Sequence, residues 1–186
     1  MSRHVNHGRR FFVRTVIGTA AVAPIILTTG CQSEGSTDRN LHLVSLDEAL
    51  AEATRLASAT LPATNSMWTL PQTLVHCAQS IEYSITGFPI PRSKLFQRTV
   101  GATAFNVFAW RGRMTHDLTE AIPGAPTLDN ENSVEAAIVR LQKAVDAFRL
   151  AKEPLQPHFA YGTLNKEDYE LAHAMHLANH FSAIDA

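Results

Sequence analysis

The stretch that decides the fold of this chain is residues 171–181, which read LAHAMHLANHF. It contains no charged residue, and His176 and His180 stand one helical turn apart within it. Residues four apart lie on one face of a helix, with about 5–6 Å between their Cβ atoms. Two imidazoles at that spacing reach a single metal ion, to which each Zn–N bond would be about 2.0–2.1 Å long. The stretch therefore predicts an inward-facing helix and a metal site.

A second uncharged segment, residues 65–81, contains His76. On a helix His76 shares its face with Gln72, Ser80 and Tyr83. Exposed helix faces normally carry Lys, Arg or Glu, so the lack of charge favours a polar cavity over solvent on this side. We therefore expect this segment to be a buried helix that faces the histidines of residues 171–181.

These two segments together predict the ligands of a divalent metal ion: His76, His176 and His180. Three imidazoles from two facing helices would leave the ion an open coordination position. Buried imidazoles need hydrogen-bond partners, and the candidate partners of the ligands are His173, Tyr83 and Gln72. His173 is also a candidate fourth ligand, although a partner or rim position suits the bundle geometry better.

Spacing alone leaves a plainer alternative open. A histidine pair on a helix is a weak signal, because solvated or core histidines are the commoner case. Among the remaining candidates, His42 and His116 are typical of loop or surface positions, and Trp68 is typical of a packing anchor.

The rest of the chain predicts helices and no convincing strand. Apolar residues recur at intervals of three and four, and capping residues precede several of these stretches. The expected helices are 46–60 after a Ser45 cap, 71–86, 93–110, one capped by Asn132, and one from Asn165 through Ile184. Their loops favour an all-α fold, an antiparallel four-helix bundle with an additional short helix or long loop. The connection 112–131 is long, so we expect it near the functional end.

The N-terminus has the order of parts of an export signal. Arg9-Arg10 begins a twin-arginine pattern, residues 15–29 carry no charge, and Gly30-Cys31 resembles a lipoprotein cleavage site. The uncharged stretch is shorter than the about 20 apolar residues that a spanning helix needs. An uncleaved anchor, or a signal without a lipid, is the alternative.

These features predict a chain in three parts: a twin-arginine signal peptide at 1–30, a lipid-anchored polar tether at 31–44 and a helical bundle domain at 45–186. The expected location is the periplasm or the extracytoplasmic face of a membrane, where the protein is a lipoprotein. The expected partners are the twin-arginine export machinery and the membrane, through lipidated Cys31. A second copy of the chain is a further candidate partner, which would make a homodimer.

Charge and cysteine content exclude two classes of protein. The four arginines of residues 1–30 leave 12 Lys and Arg against 17 Asp and Glu, a formal charge of −5 for the remainder. Such a chain has no basic footprint for nucleic acid. With Cys31 lipidated, Cys77 is the only free thiol, so a disulfide framework is excluded. Cys77 fits a small core residue.

Three motifs together resemble a known family: Trp68-x7-His76, residues 157–164 reading PHFAYGTL, and Tyr169-x6-His176-x3-His180. The pattern is similar to the DinB-like (damage-inducible) superfamily of metal-binding four-helix bundles. Within it, the chain resembles the branch called domain-of-unknown-function family 1569, over about residues 46–181. The resemblance implies that His76, His176 and His180 bind a divalent metal. It assigns no role to the His158–Gly162 loop.

The sequence leaves the task of the metal open. An imidazole-only ligand set is compatible with zinc, nickel or iron. Water in the open position would be acidified or displaced by substrate. No clear general base is present, since Glu82 points about 120° away from His76 on a helical wheel. The hypotheses are a metal-dependent hydrolase or thiol-type transferase, a non-catalytic envelope metal-binding or interaction lipoprotein, and a bundle whose histidines are structural remnants.

Overall fold

The structure, a computed structural model, describes residues 38–60, 62–64, 66–128 and 133–185. The predicted signal peptide, Cys31 and the tether residues up to 37 lie outside the described residues. The described part is mainly helical, as expected for an all-α chain, and adds one two-stranded sheet. Each helix in these ranges is too short or too polar to cross a lipid bilayer.

The helices are α1 Leu46–Ala57, α2 Leu70–Thr86, α3 Lys94–Phe96, α4 Ala102–Arg111, α5 Val134–Leu150 and α6 Lys166–Phe181. A π-helical turn, Gln97–Gly101, joins α3 to α4 and makes the two continuous. The strands β1 Ala63–Thr64 and β2 Ile184–Asp185 pair antiparallel, with Ala63 opposite Asp185.

Side-chain caps begin the long helices, largely where the sequence predicts them. Ser45 accepts a hydrogen bond from the backbone N–H of Glu48, and Asn165 accepts one from Asp168. The prediction of an Asn132 cap for α5 is wrong. Ser133 caps this helix and accepts from the N–H of Ala136, because the cap hydroxyl must stand three residues before the amide it receives.

The first and last helices are shorter than the sequence predicts, and a short strand follows the last one. We predicted a last helix through Ile184, but α6 ends at Phe181 and Ile184 lies in β2. The backbone there finds other partners: Arg39 Nη1 donates to the carbonyl of Ile184 at 2.9 Å. The first helix likewise ends at Ala57 rather than near residue 60, and Ser58 forms its C-cap.

The later part of the predicted tether is attached to the folded domain. The N–H of Leu41 donates to Ser182 Oγ at 2.9 Å, and Arg39 pairs with Glu52 at 2.6 Å. Leu41 and Leu43 pack against the core. Residues 38–44 therefore run along the end of α6 as part of the domain surface.

The core forms where α2 packs against α5 and α6, and α1 packs against the same two helices. Its largest fully buried apolar side chains are Leu46, Leu56, Leu74, Ile81, Leu141, Phe148, Met175, Leu177, Phe181 and Ile184. Each such side chain stabilises the fold by roughly 1.5–3 kcal/mol. Cys77 is fully buried among them, as predicted for a small core residue.

Two helices are buried on their polar faces as well as on their apolar faces. Every residue from 72 to 81 of α2 is buried, and so is every residue from 172 to 181 of α6. The polar residues of these stretches are therefore inside the protein, where each needs a partner.

The π-helical turn allows a loop to approach the helix closely. A Cβ atom on Gly101 would lie 1.9 Å from the carbonyl oxygen of Ala160. Gln97, in the same turn, donates its side-chain N–H to the carbonyl of Phe159 at 3.1 Å. Gly101 thus lets residues 158–162 lie directly on the helix.

We predict that Gly101→Ala destabilises the protein by roughly 1–3 kcal/mol, the usual cost of overpacking a filled site. At an open helix position the same change would stabilise, because alanine has the higher helix propensity. Urea unfolding measures the free energy. Thr103→Ala, on the exposed side of α4, is the control and should change it by less than about 0.5 kcal/mol. Equal values for the two variants would contradict the close contact.

Candidate metal centre

Three histidine rings from α2 and α6 converge on one point. Nε2 of His176 lies 3.1 Å from Nε2 of His76 and 3.1 Å from Nε2 of His180. The ligand nitrogens of all three lie within 4.8 Å of one another. Two nitrogens bound to one tetrahedral ion at about 2.0–2.1 Å would be about 3.3 Å apart. The spacing of the rings is therefore close to that of a shared ion.

Hydrogen bonds among the rings account for this arrangement poorly. An imidazole nitrogen has either one proton or one lone pair, yet Nε2 of His176 faces two other nitrogens at once. Within the described part of the chain, Nδ1 of His176 and Nδ1 of His76 are buried without a hydrogen-bond partner. In rings whose proton is on Nδ1, the lone pairs of the converging Nε2 atoms face one another, and a cation at this point would bind them.

Burial keeps these rings neutral. Desolvation, with a smaller repulsion from His116, lowers the pKa of His76 to about 3. Desolvation also holds the pKa values of His176 and His180 well below the usual range, and repulsion among the clustered rings adds to it. Neutral imidazole is the form that binds a metal, so the rings are in the ligating state throughout the neutral pH range.

Trp68 covers the cluster from the segment before α2. Its ring stacks on His180 with centroids 5.8 Å apart and lies 4.8 Å from the ring of His76. The residue acts as a packing anchor, as the sequence suggests, and it packs on two of the three histidines.

The candidate partner residues occupy different places. His173 is buried, stacks on Tyr169 and meets Phe148 edge-on, each at 5.4 Å between centroids. Gln72 belongs to the capping box of α2, where its Oε1 accepts from the N–H of Thr69 at 2.9 Å. Tyr83 packs against Phe88, two helical turns beyond His76. The roles of His173, Tyr83 and Gln72 as partners of the ligands remain predictions.

Sequence reasoning missed His116, which was assigned to a loop or to the surface. Its ring centroid lies 5.1 Å from that of His176 and 5.0 Å from that of His180. Asn179 Nδ2 donates to the carbonyl of His116 at 3.4 Å. The one sequence feature that pointed to this region is the length of the connection 112–131. It predicts a functional loop but does not identify His116 within it.

A cavity of about 200 Å³ opens beside the cluster. His76, His116 and His176 form part of its wall, and apolar residues form much of the rest: Phe96, Met114, Ile122, Phe159 and Tyr161. The charged residues that line it are Arg92 and Glu120, which form a 3.9 Å ion pair with both side chains largely exposed. The cavity is therefore mainly apolar, with imidazoles at one side.

The His158–Gly162 loop holds one further imidazole in this wall. The N–H groups of Ala160 and Tyr161 both donate to Nδ1 of His158, each at 3.1 Å. An antiparallel bridge between His158 and Gly162 closes the loop. The proton of this neutral ring must then be on Nε2, because Nδ1 accepts.

The acidic residue nearest in sequence to His76 is engaged elsewhere. Both carboxylate oxygens of Glu82 pair with Arg140 of α5, at 2.9 and 2.7 Å. The helical-wheel prediction that Glu82 points away from the cluster agrees with this contact.

Comparison with known proteins gives one family. Residues 35–186 match the family DUF1569, described as "Protein of unknown function (DUF1569)". No match was found among curated proteins or among solved structures.

The buried histidines predict a stability that depends on pH. Desolvation, with a smaller repulsion from His173, lowers the pKa of His158 to about 3 from the ordinary 6.5. Between these values the unfolded chain binds the extra proton, so the folded state loses stability as the pH falls from about 6.5 towards 3. His158→Gln should make the dependence shallower by up to about 1.4 kcal/mol per pH unit.

Urea unfolding of chelator-treated protein between pH 7 and 5 measures this slope. His42→Gln, which removes an exposed histidine, controls for the loss of an imidazole. A variant slope identical to that of the original chain would contradict a buried neutral His158.

Proposed function

The chain belongs to the DUF1569 family of proteins of unknown function, and from its histidine cluster we propose that it binds one divalent metal ion through His76, His176 and His180. The observation that carries this proposal is the convergence of three buried rings, in which Nε2 of His76 and Nε2 of His180 each lie 3.1 Å from Nε2 of His176. Such a ligand set is compatible with zinc, nickel or iron, and intrinsic affinity does not choose among them.

Energetics support a ligand role over a structural remnant. A buried polar group without a partner costs about 1–3 kcal/mol. The cluster contains two such atoms, Nδ1 of His76 and Nδ1 of His176, and its Nε2 atoms face each other. A cation bound by the Nε2 lone pairs would offset the part of this cost that falls on the facing Nε2 atoms, which supports a ligand role.

The cavity supports an enzyme, a metal-dependent hydrolase or thiol-type transferase, as the function of the ion. A concave, largely apolar space with a few convergent polar groups is the usual form of a small-molecule site. When bound, the metal would supply Lewis acidity to a ligand in that space. The protein's own part is to hold the three imidazoles and to line the space with apolar side chains such as Phe96, Met114 and Phe159.

One observation favours the alternative, a non-catalytic metal-binding or interaction lipoprotein of the cell envelope. Of the described residues that line the cavity, the acidic one is Glu120, whose carboxylate lies at the exposed rim against Arg92. Turnover by the metal-loaded protein distinguishes the two functions.

The finer structural and cellular assignments belong to the same proposal. We propose that α1, α2, α5 and α6 form the antiparallel four-helix bundle of the DinB-like superfamily, with the metal between α2 and α6. We further propose that the twin-arginine signal exports the protein and that lipid on Cys31 anchors it at the extracytoplasmic face of a membrane. Support for this placement comes from the order of charged, uncharged and small residues in positions 9–31.

We expect the purified protein to bind one equivalent of metal and His176→Ala to bind none under the same conditions. Loss of a direct ligand should weaken the affinity by more than the roughly 10–100-fold that an outer hydrogen-bond partner costs. Elemental analysis and competition with a chromophoric chelator give the two values, and His76→Ala and His180→Ala should behave alike. His42→Ala removes an exposed histidine and should retain the metal.

Metal content that survives in the folded His176→Ala and His180→Ala variants would overturn the proposed site. Circular dichroism of each variant establishes that it is folded, so that a loss of metal is not a loss of structure.

We expect Cys31→Ser to move the protein from the membrane fraction to the soluble fraction of the envelope, because the variant has no thiol at the proposed lipidation position. Fractionation and labelling with a radioactive fatty acid measure the change, and Ser33→Ala is the neighbouring control. Replacing Arg9 and Arg10 by lysine should keep the protein in the cytoplasm. Membrane attachment that is unchanged in Cys31→Ser would argue for an uncleaved anchor.

A further inference from the structure

We propose that His116 is a fourth imidazole ligand of the same metal ion, delivered by the loop between α4 and α5. The proposal rests on the proposed function, since it requires an ion at His76, His176 and His180. The proposal adds a ligand from a loop to the ligands from α2 and α6. The number of ligands around the ion would then depend on the position of that loop.

The position of the ring is the first observation. The centroid of His116 lies 5.1 Å from that of His176 and 5.0 Å from that of His180. The distances among the three convergent rings are nearly the same, at 4.8 to 5.0 Å. His116 therefore packs against His176 and His180 nearly as closely as these two rings pack against each other, and it forms part of the cavity wall. The group whose ligand atoms all lie within 4.8 Å of one another is His76, His176 and His180, so His116 would have to move closer to bind the same ion.

The state of its two nitrogens is the second observation. Nδ1 of His116 lies 2.8 Å from the carbonyl oxygen of Asp117, and only a protonated Nδ1 donates to a carbonyl. In the neutral ring, Nε2 then has the lone pair. This Nε2 is buried, and it has no hydrogen-bond partner among the residues that the structure describes. A backbone carbonyl that holds the far nitrogen of an imidazole is the usual way in which a ligating histidine is oriented.

The loop around His116 is held to the protein on both sides of the ring. Asn179, which stands between two ligand positions of α6, donates to the carbonyl of His116 at 3.4 Å. The N–H and hydroxyl of Thr119 both donate to the Asp117 carboxylate at 2.8 Å and form a tight turn. Met114, two residues before His116, is buried and accepts a contact from the Tyr161 hydroxyl at 3.8 Å. These contacts place the ring although His116 itself lies in a loop and not in a helix.

A ligand on a loop has a consequence for access to the ion. With three helical ligands alone, the open coordination position would face the cavity. With His116 bound, that position is filled, and a molecule in the cavity reaches the ion by adding a further ligand or by displacing this imidazole. His116 is thus the one of the four rings that can leave without disturbing a helix.

The test counts the imidazoles around the metal. X-ray absorption of the zinc-loaded original chain should fit four imidazole nitrogens. A fit with three imidazoles and one oxygen would overturn the proposal, and this result needs no variant. If the original chain takes up no zinc at all, the proposed function is overturned instead. The two failures are therefore distinguishable.

A variant provides the second arm. His116→Ala should still bind one equivalent of Co²⁺, at an affinity lowered by ten-fold or more, and with a changed visible absorption spectrum, because water replaces a nitrogen ligand. Free imidazole added to this variant should restore the spectrum. His42→Ala removes another non-helical histidine and should match the original chain in affinity and spectrum, with no response to imidazole.

Rescue by imidazole separates a ligand from a residue that only supports the loop, since a packing defect has no reason to restore a nitrogen-rich spectrum. If folded His116→Ala has the affinity and spectrum of the original chain, His116 is not a ligand. If it loses Co²⁺ affinity without a spectral change that imidazole reverses, the ring acts only on packing, and the proposal is likewise overturned.

Discussion

The constraint on which this structure depends is the burial of neutral imidazoles at one point between two helices. His76 from α2 meets His176 and His180 from α6, with Nε2 contacts of 3.1 Å. Placing polar rings in an apolar interior costs free energy, and the surrounding side chains give their nitrogens few hydrogen bonds. Both helices are buried on nearly all sides around the cluster. The packing of the domain and the proposed metal site are therefore two aspects of one arrangement.

Segments that are not regular helix decide what reaches this cluster. The π-helical turn ends at Gly101, whose missing Cβ admits the carbonyl of Ala160, and so the His158–Gly162 loop becomes a wall of the cavity. The loop after α4 supplies another wall and brings His116 to the histidines. Helices hold three of the proposed ligands in place, whereas loops carry His116 and shape the space in front of the cluster. A change of function within such a fold would come from the loops.

The electrostatics of the site are those of a neutral pocket. Its imidazoles are kept uncharged by desolvation, and the carboxylate of Glu82 is paired with Arg140 outside the cluster. An all-imidazole site leaves the full charge of a divalent ion uncompensated by protein, unlike a site that contains a carboxylate. Such an ion would attract an anionic ligand or acidify a bound water more strongly. The mainly apolar cavity adds to this effect, because it weakens the competing solvation by bulk water.

Local patterns were enough to predict the helices and the three convergent histidines. The spacing of His176 and His180 is a property of one helical turn, and the charge-free run around His76 indicates burial whatever the partner is. Tertiary structure decided the rest. The pairing of Ile184 with β1 and the approach of His116 to the cluster join segments far apart in the chain, and no periodicity encodes which loop residue meets which helix. Helical geometry repeats along the sequence, whereas the path of a long loop depends on contacts that exist only after the helices have packed.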